Sequence, residues 1–399
     1  MLKFRRSERY VRLIGWVAVA AAVAVAATAC GSGGGSAGAS PVKVGVQFGL
    51  TGADASFDAV YQDSAKLAFA DMEKNGVNGH QVSLMYADDA SDPATAVTVA
   101  RKNVAQDKAS VLYGPAFTPT ALATMQVADS LKVPFYTPGS INPKLTSPLD
   151  KSTFAPNFSS DDVAVGIAQL VSSMNVKKVG MLVESDAYGD AALSGATSSL
   201  AKYGLKVDAT AKIAANATDA TSQVQSLKDA GAQVVLLGVT APPMAATINA
   251  EIHQGTYLPM VTFAGSNNSL DQLAQSDPKI QFYALTPLAC PVGGTCTTDF
   301  MKQWATVHPG DKPIVWTVQA YAAAKAFVAG LQNAKEYSPQ GIITGLETMK
   351  PFSTPELPCP IQFSPTSHKG NSCTNFYGVT NGKVSFFGNN LTDNKLNHG

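Results

Sequence analysis

Strand and helix patterns alternate along most of the chain, and that alternation constrains the fold more than any other feature. In VKVGVQF, Val42, Val44, Val46 and Phe48 recur at every second position; after LTGADAS, Ala65, Phe69 and Met72 return at helical spacing. NGVNGH, Asn75 to His80, stops that helix, and VSLMYAD alternates as a second strand. SDPATAVTVARKNVAQD then opens a helix with Asp92 as N-cap and Pro93 in the first turn. SVLYGP, TPTALATMQVADSLK and VPFYTPG add a strand, a helix and a fourth strand. Repeated βαβ units predict an α/β fold whose parallel sheet is covered by helices on both faces.

A second series starts at KKVGMLVESDAYGD, near Val179, where strand and loop echo the opening VKVGVQFGLTG. It runs through a helix around Ala192 to Lys202, the strand LKVDA, a helix near Gln223 to Ala230, VVLLGV, the helix PPMAATINAEIHQ, and MVTFAG. Two series predict two α/β lobes. The turn-rich tail, PCPIQFSPTSHKGNSCTNFYGVTNGKVSFFG, carries two short strand patterns in NFYGV and KVSFF.

In parallel α/β sheets the loops leaving the carboxyl ends of the strands form the ligand crevice. Here those loops are FGLTGADASFD, YGPAFTPTA, YTPGSINP, ESDAYGD, GVTAPP and FAGSNNS. Their small residues expose backbone N–H groups and hydroxyls, while Phe57, Phe117 and Tyr188 offer apolar walls. Each residue taken alone is ordinary turn chemistry; their concentration on one expected edge makes a candidate site.

The ordered motifs VKVGVQFGLTGADASF, LAFADMEKNGVNGHQVSLMYADDASDPATAVTVARKNVAQDKASVLYGP, VPFYTPGSINPKLT and DAYGD resemble the leucine/isoleucine/valine-binding type of bacterial ABC-transporter solute-binding protein. That resemblance implies two Rossmann-like lobes joined by three crossovers, the type 1 periplasmic-binding fold. Lobe 1 would comprise residues 42–159 with 286–368, and lobe 2 residues 160–285 with 369–399. A small-molecule ligand would close the lobes on each other, and the closed form would be read by an ABC permease in the membrane. The chain would act as a tethered monomer, with no cofactor and no bond made or broken.

Carried over residue by residue, the resemblance puts ligand contacts on Phe57, an aromatic wall; on Thr118, a hydroxyl for a carboxylate; and on Gly139, Ser140 and Ile141. The second lobe would add Tyr188 and Thr240, and Tyr321 in AYAAAKAF would be a further wall. Two departures bear on the ligand. Amino-acid binders of this type usually have Thr or Ser at Ile141, and an acidic residue in the loop where this chain has Ser266, Asn267 and Asn268. A buried ammonium without a carboxylate partner costs several kcal/mol. The expected ligand is therefore of the branched-chain amino-acid type or a related carboxylate or amide without an amine. Asp186 or Glu184 could supply a charge from another loop, although both read first as solvated strand-end residues.

The N-terminus reads as export. Lys3, Arg5, Arg6, Arg9 and Arg12 precede an uncharged run of 17 residues, Leu13 to Ala29, short of the roughly 20 that a membrane span needs. Ala27-Thr28-Ala29-Cys30-Gly31 resembles the flank of a bacterial lipoprotein signal, with residues 1–29 removed and Cys30 acylated; a plain signal peptide or an uncleaved anchor stays open. Residues 30–41 form a Gly/Ser tether, whose ten residues from Gly31 reach about 18 Å. The protein is thus expected on the outer face of the cytoplasmic membrane, anchored through Cys30. Removing residues 1–29 leaves 24 basic against 28 acidic residues, about −4 by count, with no basic patch for nucleic acid.

Four further cysteines lie in two close pairs, Cys290 with Cys296 and Cys359 with Cys373. Four allow three connectivities, and the two local disulfides are the expected ones in an oxidising compartment. No metal site is expected: neither pair has zinc-knuckle spacing and the histidines are scattered, with His368 read as a solvated loop residue. Asp88, Asp89 and Asp92 lack the glycine and distant Glu of a calcium loop. No G-x-S-x-G, phosphate loop or HExxH occurs, so catalysis is not expected. A ligand sensor of the same fold, uncoupled from transport, is the main alternative; a purely structural surface lipoprotein is a third.

Overall fold

The computed structural model describes residues 40–263, 276–286, 299–310, 315–373 and 375–389. Cys30 and its tether up to residue 39, the Cys290–Cys296 pair and Ser266, Asn267 and Asn268 lie outside the described residues.

The first sheet holds β1 (Val42–Phe48), β2 (Val82–Asp88), β3 (Val111–Tyr113), β4 (Phe135–Tyr136) and β5 (Thr153–Phe154) in the order β2-β1-β3-β4-β5. Every pairing in it is parallel, with Val44 opposite Leu84 and Val111. Its helices are α1 (Ala55–Asn75), α2 (Pro93–Ala105) and α3 (Thr118–Leu131). The second sheet takes β6 (Val179–Glu184), β7 (Val207–Ile213), β8 (Val234–Gly238), β9 (Met260–Thr262), β10 (Phe282–Thr286), β11 (Asn375–Thr380) and β12 (Lys383–Asn389). Its order is β12-β11-β10-β9-β8-β6-β7, parallel except where β11 and β12 join antiparallel. The remaining helices are α4 (Ser160–Ser173), α5 (Ala187–Ala201), α6 (Thr221–Asp229), α7 (Ala241–Gln254), α8 (Asp299–Val307), α9 (Val315–Asn333) and α10 (Pro339–Thr348).

Both sheets are covered on both faces, as parallel sheets require. On β3 and β4, Tyr113 and Tyr136 point into one core with Phe69 and Phe327, while Leu112 and Phe135 enter another with Ala121 and Val127. In the second sheet Met181, Val183 and Leu236 join the core of the first, and Leu182, Val235 and Leu237 form a separate one. Burial of each such Val, Leu or Phe contributes about 1.5–3 kcal/mol. Helix α9 packs on α1, so residues far along the chain return to the first sheet.

Three departures from the sequence pattern have local causes. Strand β5, only two residues long, shows no alternation to read. Helix α5 begins at Ala187, not near Ala192, because the Asp186 carboxylate accepts from Tyr188 N–H (2.9 Å) and Gly189 N–H (3.0 Å). His368 is fully buried: its ring stacks on Phe154 at 3.8 Å, and its nitrogens meet Thr153 O (3.0 Å) and Glu347 (3.1 Å). Asp92 caps α2 as expected, accepting from Thr95 N–H at 2.7 Å.

The chain leaves the first sheet after β5 and enters the second through α4; the segment before β11 runs alongside that exit. Ala155 N–H donates to His368 O (3.0 Å), and Gly370 N–H donates to Ala155 O (2.7 Å). The Cys359–Cys373 disulfide closes this segment.

Candidate functional site

The carboxyl ends of the strands in both sheets converge on one cavity, with about 470 Å³ free of protein atoms, its open mouth included. Phe57 comes from the first turn of α1; Ala116, Phe117 and Thr118 from the β3–α3 junction; Gly139, Ser140 and Ile141 from the loop after β4. The second sheet contributes Tyr188 at the start of α5 and Thr240 and Ala241 at the start of α7. Trp316, in α9, completes the wall.

The loops reach this point because particular residues hold them. Gly114 turns the chain out of β3 at φ +76°, where a Cβ would stand 2.2 Å from Gln47 O, so the position demands glycine. Gly139 lets the next loop press on Tyr61 and Ala116; an added Cβ would lie 2.4 Å from that of Ala116. Asp58, fully buried, gathers Gly49 N–H (2.7 Å), Ala116 N–H (3.2 Å) and Phe117 N–H (3.1 Å). Burial pushes its carboxyl up to about 8 against the opposing pull of those donors. Asp89, joined to Gln47 and Ser91, is raised to about 6, again chiefly by burial.

Two kinds of surface face the cavity. Phe57 and Trp316 meet edge to face at 5.8 Å and form an aromatic corner. Opposite in chemistry, the hydroxyls of Thr118 and Ser140 lie 2.9 Å apart, both buried, and can turn toward a carboxylate or carbonyl oxygen. Asn142 Nδ2 donates to Ala187 O at 3.0 Å, linking the loop after β4 to the start of α5.

Eight of the nine residues expected at the site line this cavity. Tyr321 does not: its ring packs on Phe300 at 4.6 Å and its hydroxyl donates to Gln303 at 3.2 Å. Five residues along a helix turn a side chain through about 140°, so Tyr321 faces away from the cavity that Trp316 lines. Ala116, Ala241 and Trp316 line the cavity outside the expected set, and of these Trp316, in VWTVQAYAAAKAF, carries the same aromatic signal as Tyr321.

Glu184 and Asp186 are not solvated strand ends. Glu184 is fully buried, accepting from Thr240 N–H (2.6 Å) and from the Thr240 hydroxyl. Burial above all, then the neighbouring Asp186, raises its pKa; Asp186 is raised by burial as well. Asp88 accepts from Leu50 N–H (2.8 Å) and the Thr51 hydroxyl (2.9 Å), Asp89 from Gln47 and Ser91, and Asp92 caps α2, so the three act as caps and loop ties.

The periplasmic binding protein family matches residues 41–383 of this chain. The chain belongs to the periplasmic binding protein family. An amino acid binding protein of Pseudomonas aeruginosa is 27% identical over 307 residues, covering 75% of this chain and 80% of the relative. A Leu/Ile/Val-binding protein homolog of Brucella abortus is 26% identical over 317 residues, covering 78% of this chain and 84% of its own. The fold is that of type 1 periplasmic binding proteins. A Bordetella pertussis member superposes with a TM-score of 0.75 at 21% identity, covering 87% of this chain and 99% of that one. An ABC-transporter solute binding protein of Rhodopseudomonas palustris, solved with 3,4-dihydroxybenzoic acid, gives 0.71 at 20%, covering 85% and 92%.

Proposed function

We propose that this periplasmic binding protein is the solute-binding lipoprotein of an ABC importer, anchored through Cys30 outside the cytoplasmic membrane. It captures a small organic ligand with a carboxylate or carbonyl group in the cavity lined by Phe57, Phe117, Thr118, Gly139, Ser140, Ile141, Tyr188, Thr240 and Trp316. Residues 42–159 with 286–368, and 160–285 with 369–399, are the two bodies that close on it. The observation that carries this reading is the pairing of the buried Thr118 and Ser140 hydroxyls with the Phe57–Trp316 corner in one cavity built from both sheets. The amino-acid and aromatic-acid binders among its relatives support the same ligand size and polarity.

Affinity for the closed form over the open one drives closure of the two bodies, and the permease reads the closed shape. The test is a thermal-shift screen of the exported protein against amino acids, aliphatic and aromatic acids, amides and short peptides. A ligand at a hundred times its dissociation constant adds about 2.7 kcal/mol. At least one small acid, amino acid or amide should raise the melting temperature; a response to none of them would sink the proposal.

A further inference from the structure

His368 is a buried titratable group outside the cavity, placed where the chain passes between the two sheets. It is 0% exposed; its ring lies on Phe154 at 3.8 Å, and Phe363 packs edge-on against Phe154 at 5.2 Å. Ring Nδ1 is 3.0 Å from Thr153 O and Nε2 is 3.1 Å from Glu347 Oε1, so β5 and α10 each hold one side of the imidazole. Lys369, next in the chain, is tied elsewhere: its Nζ donates to both oxygens of Asp162, at 2.9 and 2.8 Å, in the first turn of α4. Neighbouring residues are thus fastened to different elements, His368 to the first sheet and its cover, Lys369 to the helix that enters the second.

Both ring nitrogens face oxygens that can only accept. Neither a peptide carbonyl nor a carboxylate has a hydrogen to give, so hydrogen bonds on both sides need hydrogens on both nitrogens, which is the imidazolium. In the neutral ring one nitrogen would turn its lone pair on an oxygen lone pair in a place closed to water, where an unmade hydrogen bond is costly. A neutral ring beside a protonated Glu347 would fit the same distances, but imidazole is the stronger base of the two by about two pKa units in water. The Glu347 side chain also keeps 16% of its surface in water, which solvates its charge. The charged groups on the surrounding elements are Glu347 on α10; Asp150, which holds Thr153 N–H at 3.0 Å ahead of β5; Asp161 and Asp162 on α4; and Lys369. Lys369 is paired with Asp162, and Glu347 is the group that meets the ring.

The backbone at this point joins the two sheets and reaches the cavity. His368 O accepts from Ala155 N–H, and Ala155 O from Gly370 N–H, so the segment before β11 lies against the exit from β5. A few residues on, Asn157 Nδ2 donates to Pro138 O and Ser160 N–H donates to Ile141 O at 2.7 Å. Both acceptors belong to the loop after β4, which brings Gly139, Ser140 and Ile141 to the cavity wall. We infer that His368 is a proton-operated clasp: as the imidazolium it fastens the segment before β11 to the first sheet through Thr153 and Glu347, and loss of the ring hydrogen loosens the crossover and weakens ligand capture. The last clause rests on the functional reading above, since the loop after β4 then loses part of its support. A proton held in the fastened form and shed on release fixes the sign: the clasp is closed in acid and opens as pH rises.

The experiment is nuclear magnetic resonance of the exported protein, labelled with nitrogen-15, at pH 6 and pH 8.5. At pH 6 the His368 ring, assigned by the histidine signal that moves in Glu347→Gln, should carry hydrogen on both nitrogens; hydrogen on one alone would overturn the inference. Protection of the Ala155 and Gly370 amides from hydrogen exchange, taken relative to amides of β8, should weaken at least about tenfold from pH 6 to pH 8.5 in the wild type. In Glu347→Gln the side-chain amide can turn its N–H to a neutral ring and keep the contact at either pH, so the same ratio should change less than about twofold. An equal change in both proteins, or none in the wild type, would overturn the clasp. Calorimetry with the compound that most raises the melting temperature reads capture: affinity should fall over this range at least about threefold more in the wild type than in Glu347→Gln. An equal fall would overturn the link to capture. If no compound binds, the functional reading fails and that link falls with it, while the exchange data decide the clasp on their own.

Discussion

At the scale of single residues, the site combines groups that the sequence makes visible with groups whose meaning depends on what lies across the cleft. Thr118 and Ser140 sit in loops leaving β3 and β4, where local chemistry and resemblance agree, and the two hydroxyls do meet. Replacing Thr118 by Val removes one hydrogen bond to a charged or carbonyl oxygen, about 1.5–3 kcal/mol for a charged acceptor. Affinity for the best ligand should fall about 10- to 100-fold in calorimetry, with Ser140 left to hold the group alone. Glu184 was not legible in the same way, because a carboxylate at a strand end is solvated unless another element covers it, and here Thr240 and Tyr188 do. The raised carboxyls set a pH dependence. In Asp58, Asp89 and Glu184 the folded state keeps its proton above the ordinary range near pH 4. It therefore binds more protons than the unfolded chain between about pH 4 and about pH 8, and stability falls as pH rises through that window. Asp88 and Asp92, lowered by backbone donors, act only below it. The melting temperature should be higher at pH 5.5 than at pH 8, and Glu184→Gln should flatten the slope; a rise toward pH 8 would contradict the assignment.

At the scale of elements, what could be read was what is local. Asp92 before Pro93 specified the start of α2, and the cap forms with Thr95. Asp92→Ala should lower unfolding stability by about 1 kcal/mol, measured as a shifted urea midpoint at unchanged slope. The start of α5 was also written locally, in the Ser-Asp-Ala-Tyr-Gly run, but the alternating strand pattern that precedes it obscured the cap at Asp186. Strand β5 and the choice between Trp316 and Tyr321 were not legible. The first is too short to show a period, and the second turns on helix phase, which is set by α9 packing against α1 rather than by composition. The two short strand patterns of the tail form β11 and β12, which pair antiparallel.

At the scale of the whole molecule, two series of βαβ units became two sheets, and the loops at their carboxyl ends face one cavity. Which chain segments connect the bodies was implied by resemblance rather than by pattern, since the connecting residues carry turn chemistry and little periodicity. One connection is stapled: Cys359 and Cys373 enclose the stretch that runs beside Ala155 and holds His368. Closing a loop of about 15 residues constrains the unfolded chain by about 3 kcal/mol. The Cys359→Ser, Cys373→Ser double variant should unfold at correspondingly lower denaturant; an unchanged midpoint would show that the bridge does not constrain the unfolded chain. A small solute that enters the cavity between the sheets lies beside Trp316. The most direct measurement is the fluorescence of Trp316 during titration with the compound that most raises the melting temperature, with the Trp316→Phe variant as blank. A saturable change whose midpoint equals the calorimetric one is predicted. Binding heat with no change at Trp316 would place the solute elsewhere and contradict the account.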